Sequence, residues 1–337
     1  MSERERRQVD ELEAALSAIV AGQEVPSEVG EEVRDLAQIA AHLLGLPGEE
    51  FRTRLKADLV GATLPAESGA ELEVEGEAPA STAPPGSPSV VPYLVIERAP
   101  ELVDFVERAF GAEVLYRMPA APGGGFHAEV RIGDAQVMMG GMPGMPFPET
   151  PAALHLYVPD VDATFRRAVD EGSQTIFPPT DQFYGDRESG VKDPFGNTWY
   201  IATHKGGASH VPEGLLTVTP FLQIKGVDGL LDFAKSAFGA ATAERHADPE
   251  GIVRHAVMKV EGSAIELGEA HGEFPAIPAM LYVYVQDVDR SYELALAAGG
   301  ESLKPPADQP YGHRTAAVTD GFGNQWYFAK PLKQSTA

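Results

Sequence analysis

From residue 90 onward, short runs of alternating or continuous apolar residues are followed by stretches in which apolar positions recur every three or four residues. Read in order, this predicts a strand at Tyr93–Ile96, a helix over Glu101–Ala109, and strands at Glu113–Arg117, Gly125–Ile132 and Gln136–Gly140. The series then restarts, with a strand at His155–Val158, a helix over Val161–Glu171, and strands at Gln174–Phe177, Ser189–Val191 and Thr198–Ala202. A β-α-β-β-β unit performed twice predicts a curved sheet with helices on one face and a free face able to form a cup.

The same pattern returns further on. VPYLVIERAPELVDFVERAFGAEV and TPFLQIKGVDGLLDFAKSAFGAAT align at an offset of 128 (Pro92 to Pro220), as do His127 and His255. HLYVPDVDATFRRAVDEG and YVYVQDVDRSYELALAAG align at 127 (His155 to Tyr282), and so do YGDRESGVKDPFGN and YGHRTAAVTDGFGN. So many landmarks held in register predict two domains of one fold, over 90–206 and 214–332. In DPFGNTWY and DGFGNQWY, Asp193 and Asp320 are expected to accept N–H bonds inside a turn. Gly196 and Gly323 would supply a positive φ there, with Trp199 and Trp326 in the core.

Ahead of the repeats, Leu12, Leu16 and Ile19, then Val33, Leu36, Ala40 and Leu43, then Phe51, Leu55 and Leu59 follow helical spacing and predict a helical extension over 1–60. The stretch 61–89 is acidic and rich in Pro, Ala and Gly, which predicts a disordered linker.

Composition narrows the chemistry. The 337 residues include no cysteine, which excludes disulfides, thiolate metal sites and cysteine nucleophiles. Fifty acidic against 26 basic residues, a net charge of −24, repel phosphate backbones and anionic lipid, so neither nucleic acid nor membrane is an expected partner. The charged N-terminus carries no apolar signal segment, and a cytoplasmic location is expected.

The motifs PYL before a helix ending DFVERAFGAE, then FHAEVRIGDAQVMMG, then YGDRESGVKDPFGNTWYIATH resemble the vicinal oxygen chelate superfamily. That group contains glyoxalase I, bleomycin resistance proteins and extradiol dioxygenases, and the likeness is to its PhnB-like branch. The resemblance implies an α+β fold of two tandem glyoxalase-like domains, each a pair of βαβββ modules. It also implies a site in which His and Glu from the first and last strands of each module hold a divalent ion that chelates the substrate's oxygens.

Carried over residue by residue, the four ligand positions of the first repeat become Tyr93, Met138, His155 and Tyr200, and those of the second Phe221, Glu266, Tyr282 and Tyr327. Each repeat keeps one residue able to ligate. If the second module of the first repeat pairs with the first module of the second, His155 and Glu266 share a cup with Tyr200 and Phe221. Two ligands fall short of the three usual in catalytic sites. His127 and His255 are open to acid–base, pocket or purely structural roles. Arg187 and Arg314 are open to clamping an anionic ligand at the rim or to pairing with a nearby carboxylate.

The expected function is small-molecule binding in an aromatic-lined cup, of the glyoxalase and bleomycin-resistance type, with no competent metal centre and no cofactor. Two alternatives stay open: a metal-dependent lyase, isomerase or dioxygenase using a divalent ion on His155 and Glu266, and an adaptor or ligand sensor whose N-terminal helices bind a protein partner. A monomer and a homodimer are both compatible with two domains in one chain.

Overall fold

The computed structural model describes residues 82–332 except 119–124, 146, 183 and 273. The helices expected over 1–60 and the linker up to residue 81 lie outside the described residues. The last part of that linker is held against the folded body: Thr82 Oγ1 donates to the Val285 carbonyl at 3.0 Å, and Ala83 packs beside Tyr93 and Tyr327.

Four modules follow one another. The first is β1 (Val90–Val95), α1 (Ala99–Phe110), β2 (Glu113–Arg117), β3 (Phe126–Ile132) and β4 (Ala135–Gly141). The second is β5 (Ala153–Tyr157), α2 (Val161–Asp170), β6 (Gln174–Asp181), β7 (Asp186–Lys192) and β8 (Thr198–His204). The third is β9 (Val218–Ile224), α3 (Val227–Phe238), β10 (Ala241–Ala247), β11 (Val253–Val260) and β12 (Ser263–Glu269). The fourth is β13 (Met280–Tyr284), α4 (Val288–Ala297), β14 (Glu301–Asp308), β15 (His313–Thr319) and β16 (Gln325–Pro331). The fold is α+β. Among the described residues no helix is long and apolar enough to cross a membrane.

The sheets do not follow the repeats. One eight-stranded sheet runs β14-β15-β16-β13-β1-β4-β3-β2 and joins the first module to the fourth; the other runs β10-β11-β12-β9-β5-β8-β7-β6 and joins the second to the third. Each junction is a short antiparallel pairing, Val90↔Val283 to Pro92↔Leu281 in one sheet and Leu154↔Pro220 to Leu156↔Val218 in the other. Proline is rare in a central strand because it lacks a ladder N–H. Here Pro92 and Pro220 sit where β1 and β9 leave one neighbour and take up β4 or β12. The residues after these prolines are Tyr93 and Phe221, which point into the cups.

Strand alternation then sorts the side chains. In β5, Leu154 and Leu156 enter a core beneath the helices, while His155 and Tyr157 take the opposite face. There are two such cores, one per repeat, but each borrows from the other: Val218 joins the first and Val90 the second. The helices covering them start in the ordinary way, with the Asp160 and Asp287 carboxylates accepting the Ala163 and Arg290 amides at the heads of α2 and α4.

Trp199 and Trp326 are fully buried, as their position in the repeated turn predicts. Asp193 Oδ1 accepts the Phe195 and Asn197 amides, and its Oδ2 accepts Asn197 Nδ2 and the Trp199 indole at 2.8 and 2.9 Å. Asp320 repeats this with Phe322, Asn324 and Trp326. Gly196 and Gly323 turn the chain at φ 96° and 91°, a region that side chains rarely adopt.

Candidate functional site

The faces away from the helices form two cups, one per sheet. Register places the eight carried-over positions opposite one another in two sets. Tyr200 pairs with His155 and Phe221 with Glu266 in one sheet; Tyr93 pairs with Met138 and Tyr282 with Tyr327 in the other.

The His/Glu cup has a buried ionic centre. His155 Nδ1 donates to Glu266, at 3.2 Å from Oε1 and 3.1 Å from Oε2, and His255 Nε2 lies 3.1 Å from Oε1. Glu266 is 1% exposed and His155 8%. Burial opposes charge on both groups, yet each stabilises the other. The carboxylate's charge and hydrogen bond outweigh burial and lift His155 to about 9, with Glu188 and Asp186 adding to the effect. Burial would raise Glu266, but His155 and then His255 overcome it and pull the carboxyl down to about 2. At neutral pH the pair is imidazolium and carboxylate. His155 Nε2 is buried and has no hydrogen-bond partner among the described residues.

Aromatic rings wall this centre. Tyr157 lies beside the His155 ring with centroids 4.3 Å apart, and Tyr200 meets Phe221 edge-on at 5.2 Å and stacks with Phe177 at 6.4 Å. The Tyr200 hydroxyl donates to Gln223 Oε1 at 2.7 Å. On β7, Asp186 pairs with His204 at 2.6 Å, and Glu188 accepts the Tyr184 hydroxyl.

The other cup is built from tyrosine. Tyr93 Oη lies 3.0 Å from His127 Nδ1, whose Nε2 faces Glu129 Oε1 at 3.4 Å, while Tyr282 Oη meets His313 Nδ1 at 3.1 Å. Gln136 Nε2 donates to the second Glu129 oxygen at 2.7 Å. Burial first, then neighbouring tyrosines and Glu129, push Tyr93 up to about 12; burial likewise raises Tyr282, Tyr284 and Tyr327. Met138, Tyr282, Tyr284 and Ala83 pack together here.

Glycines make room for the aromatic corners. A Cβ on Gly140 would stand 2.5 Å from Tyr93 Oη, and one on Gly268 would stand 2.8 Å from Phe221 Cζ. Gly268→Ala is therefore expected to push the Phe221 ring into the cup and to cost about 1–3 kcal/mol, read by thermal unfolding. An unchanged melting temperature would show that the ring has space to yield.

Arg187 and Arg314 do not belong to the cups. Strand alternation turns both to the helix side, where Arg187 grips Asp162 at 2.7 and 2.8 Å and Arg314 grips Asp289 at 2.6 and 2.5 Å. Asp181 and Asp308 add a second partner each. The residues on either side of Arg187, Asp186 and Glu188, are the ones that face the cup. An anion clamp is thus replaced by two acidic groups.

The sequence reading also missed Tyr157, Gln223, Glu188, Tyr184, Glu129 and Tyr311. Tyr157 and Gln223 lie two positions beyond His155 and Phe221, so strict period-two counting from those residues would have found them. Tyr184 and Tyr311 open the repeated YGDR and YGHR motifs. Two grooves of about 300 and 420 Å³ on the second repeat, one along Phe233 and Phe322 and one along Val253 and His271, contain none of these groups. The chemistry is concentrated in the cups, so the cups are the candidate site.

Residues 89–201 and 216–328 each match the sequence profile of the Glyoxalase/Bleomycin resistance protein/Dioxygenase superfamily. The chain belongs to that superfamily. A provisionally named glyoxylase of Mycobacterium bovis, CFP32, is 28% identical over 225 residues, 64% of this chain and 84% of that protein. An uncharacterised protein of the same organism is 38% identical over 124 residues, 34% of this chain and 82% of the relative. Among solved structures, glyoxalase I from Zea mays superposes with a TM-score of 0.56 at 15% identity, over 72% of this chain and 92% of that one, which speaks for the fold alone.

The divalent ion that the superfamily resemblance implies does not fit the donors present. Phe221 has no donor atom. The Tyr200 hydroxyl is engaged with Gln223, and burial together with the Glu188 charge pushes it up, away from the phenolate that could coordinate. Among the described residues no group of three or more His, Asp or Glu side chains is arranged to hold a metal.

Proposed function

We propose that this superfamily member binds a small, planar organic molecule in the His/Glu cup, and that it does so without a metal ion. The observation carrying this reading is the state of the four corner positions. Two are aromatic, Tyr200 and Phe221, and the other two, His155 and Glu266, are hydrogen-bonded to each other. Aromatic walls with a few polar anchors suit a flat ligand.

Each cup is completed within one chain, so a single copy suffices for binding. A small molecule is the proposed partner, with neither nucleic acid nor membrane, and the cytoplasm the proposed location. The net charge of −24 supports the exclusion of polyanionic partners.

The test is metal content by plasma mass spectrometry, on protein purified without chelator or affinity-tag metal, before and after soaking with nickel, zinc, manganese or iron. We expect retention well below one ion per chain, and we expect planar aromatic compounds to raise the melting temperature in a thermal-shift screen. Stoichiometric metal that disappears in a His155→Ala, Glu266→Ala double variant would overturn this reading and favour a metal-dependent lyase, isomerase or dioxygenase.

A further inference from the structure

We propose that the tyrosine-built cup is a second ligand site, and that it takes flat aromatic carboxylates with the Lys304 ammonium as the anchor for the carboxylate group. The inference goes beyond the binding proposed for the His/Glu cup and does not depend on it.

Register sets the anchor and the wall in one row. Lys304 in β14 pairs with Ala317, Ala317 with Tyr327, and Tyr327 with Tyr282, so four neighbouring strands each place one side chain along a line across this sheet. Tyr327 faces away from the core that takes its neighbours Trp326 and Phe328. Lys304 reaches the same face, with its Nζ 5.5 Å from the centre of the Tyr327 ring, and Ala317 between them presents only a methyl group. The His/Glu cup has the same row with different chemistry. There Phe177 pairs with Gly190 and Gly190 with Tyr200, and the Phe177 ring stacks on Tyr200 at 6.4 Å. Where one cup sets a second ring on its tyrosine, the other sets a cation. The positions of Asp186 and Glu188 in the first are His313 and Thr315 in the second, so the two cups differ in charge as well as in shape.

The surroundings say what suits that cation. Tyr93, Tyr282, Tyr284 and Tyr327 cluster in this cup and supply ring faces against which a flat body packs. Lys304 lies on the exposed edge strand, and among the described residues its ammonium has the Tyr327 ring beside it and no carboxylate partner. That is in a chain whose acidic residues outnumber its basic ones 50 to 26. A cation over an exposed ring is held weakly compared with one in a charge-assisted hydrogen bond, so an incoming carboxylate gives Lys304 the stronger partner while the ring stays free to stack. Glu129 also takes the cup face, from β3 near the other edge of the sheet, and one of its oxygens already accepts Gln136 Nε2 at 2.7 Å. A cationic ligand would meet Lys304, and a neutral one would leave it with the ring alone.

The experiment uses the full-length protein and two probes of one shape, 2-naphthoate and 2-naphthamide, titrated by calorimetry. Wild type is expected to bind naphthoate at least about fivefold more tightly than naphthamide at low salt, since a charge-assisted hydrogen bond separates the two. That preference should shrink at about 0.5 M salt, where exposed charges are screened. Lys304→Met keeps the length of the side chain and removes its charge, and with it the preference should vanish. Lys235→Met removes an exposed charge from α3, on the helix side, and should leave the preference as it is. Should Lys304→Met not fold, wild type alone decides: the ε-methylene resonance of Lys304 should move with naphthoate and stay still with naphthamide. Equal binding of the two probes, a preference that survives Lys304→Met, or an unmoved Lys304 resonance overturns the proposal, and so does a wild type that binds no naphthoate. The His/Glu cup fails on a different result, the stoichiometric metal described above.

Discussion

Glu266→Leu is expected to cost about 3–5 kcal/mol of folding stability in urea unfolding, because it removes one partner of a buried pair and leaves the His155 ring buried without it. The centre of that cup is sealed: Glu266 is 1% exposed and makes contact with both His155 and His255. Removing both charges should cost much less than removing one, since a His155→Phe, Glu266→Leu pair replaces a desolvated ion pair with apolar contact. A double variant no more stable than Glu266→Leu would mean that shape, not charge balance, sets the cost.

The same pair predicts a pH profile. His155 holds its proton more tightly in the folded chain, so its contribution is complete below its ordinary 6.5 and is lost as pH climbs through about 9. Glu266 holds its proton less tightly when folded, so its contribution is complete above 4.5 and is lost as pH falls through about 2. The pair therefore contributes most between pH 4.5 and 6.5. Wild type should lose stability from pH 6.5 to 9, and Glu266→Leu should not show that slope. A flat wild-type profile over this range would refute the protonated state of His155.

The second large effect is expected at the repeated turns. Asp193→Ala and Asp320→Ala should each cost about 3 kcal/mol or more, because each carboxylate accepts four bonds, one of them from a fully buried indole. Burial leaves Asp193 raised overall, and those four donors offset only part of the penalty of keeping it charged. Asparagine should not rescue either position, since its amide nitrogen would face the donors Asn197 Nδ2 and Trp199 Nε1 or their counterparts. Trp199 and Trp326 are the chain's two tryptophans, so fluorescence during unfolding reports directly on the two turns. Variants as stable as wild type would show that water replaces the carboxylate at no cost.

The register also explains why the resemblance could be carried over residue by residue. Each cup position is the first residue after a strand hand-over or the middle of a short buried strand, and in all four modules these points sit at the same offset. The two arginines show the limit of that approach. Their motif neighbours were visible, but which side of the strand Arg187 takes depends on the pairing of β7 with β8 and on Asp162 in α2, 25 residues away.

By itself the sequence determined the two repeats, the four modules, and the Asp-Gly turns with their buried tryptophans. Those features depend on periods of 2 and 3.6 residues and on constant offsets, which are local properties of the chain. Only the tertiary structure decided that the sheets join modules across the repeats, that His155 Nδ1 meets Glu266 over a separation of 111 residues, and that His155 Nε2 is buried without a partner among the described residues. Those outcomes turn on which strand edges pair and on charges that meet only once water has been excluded. No local pattern encodes either.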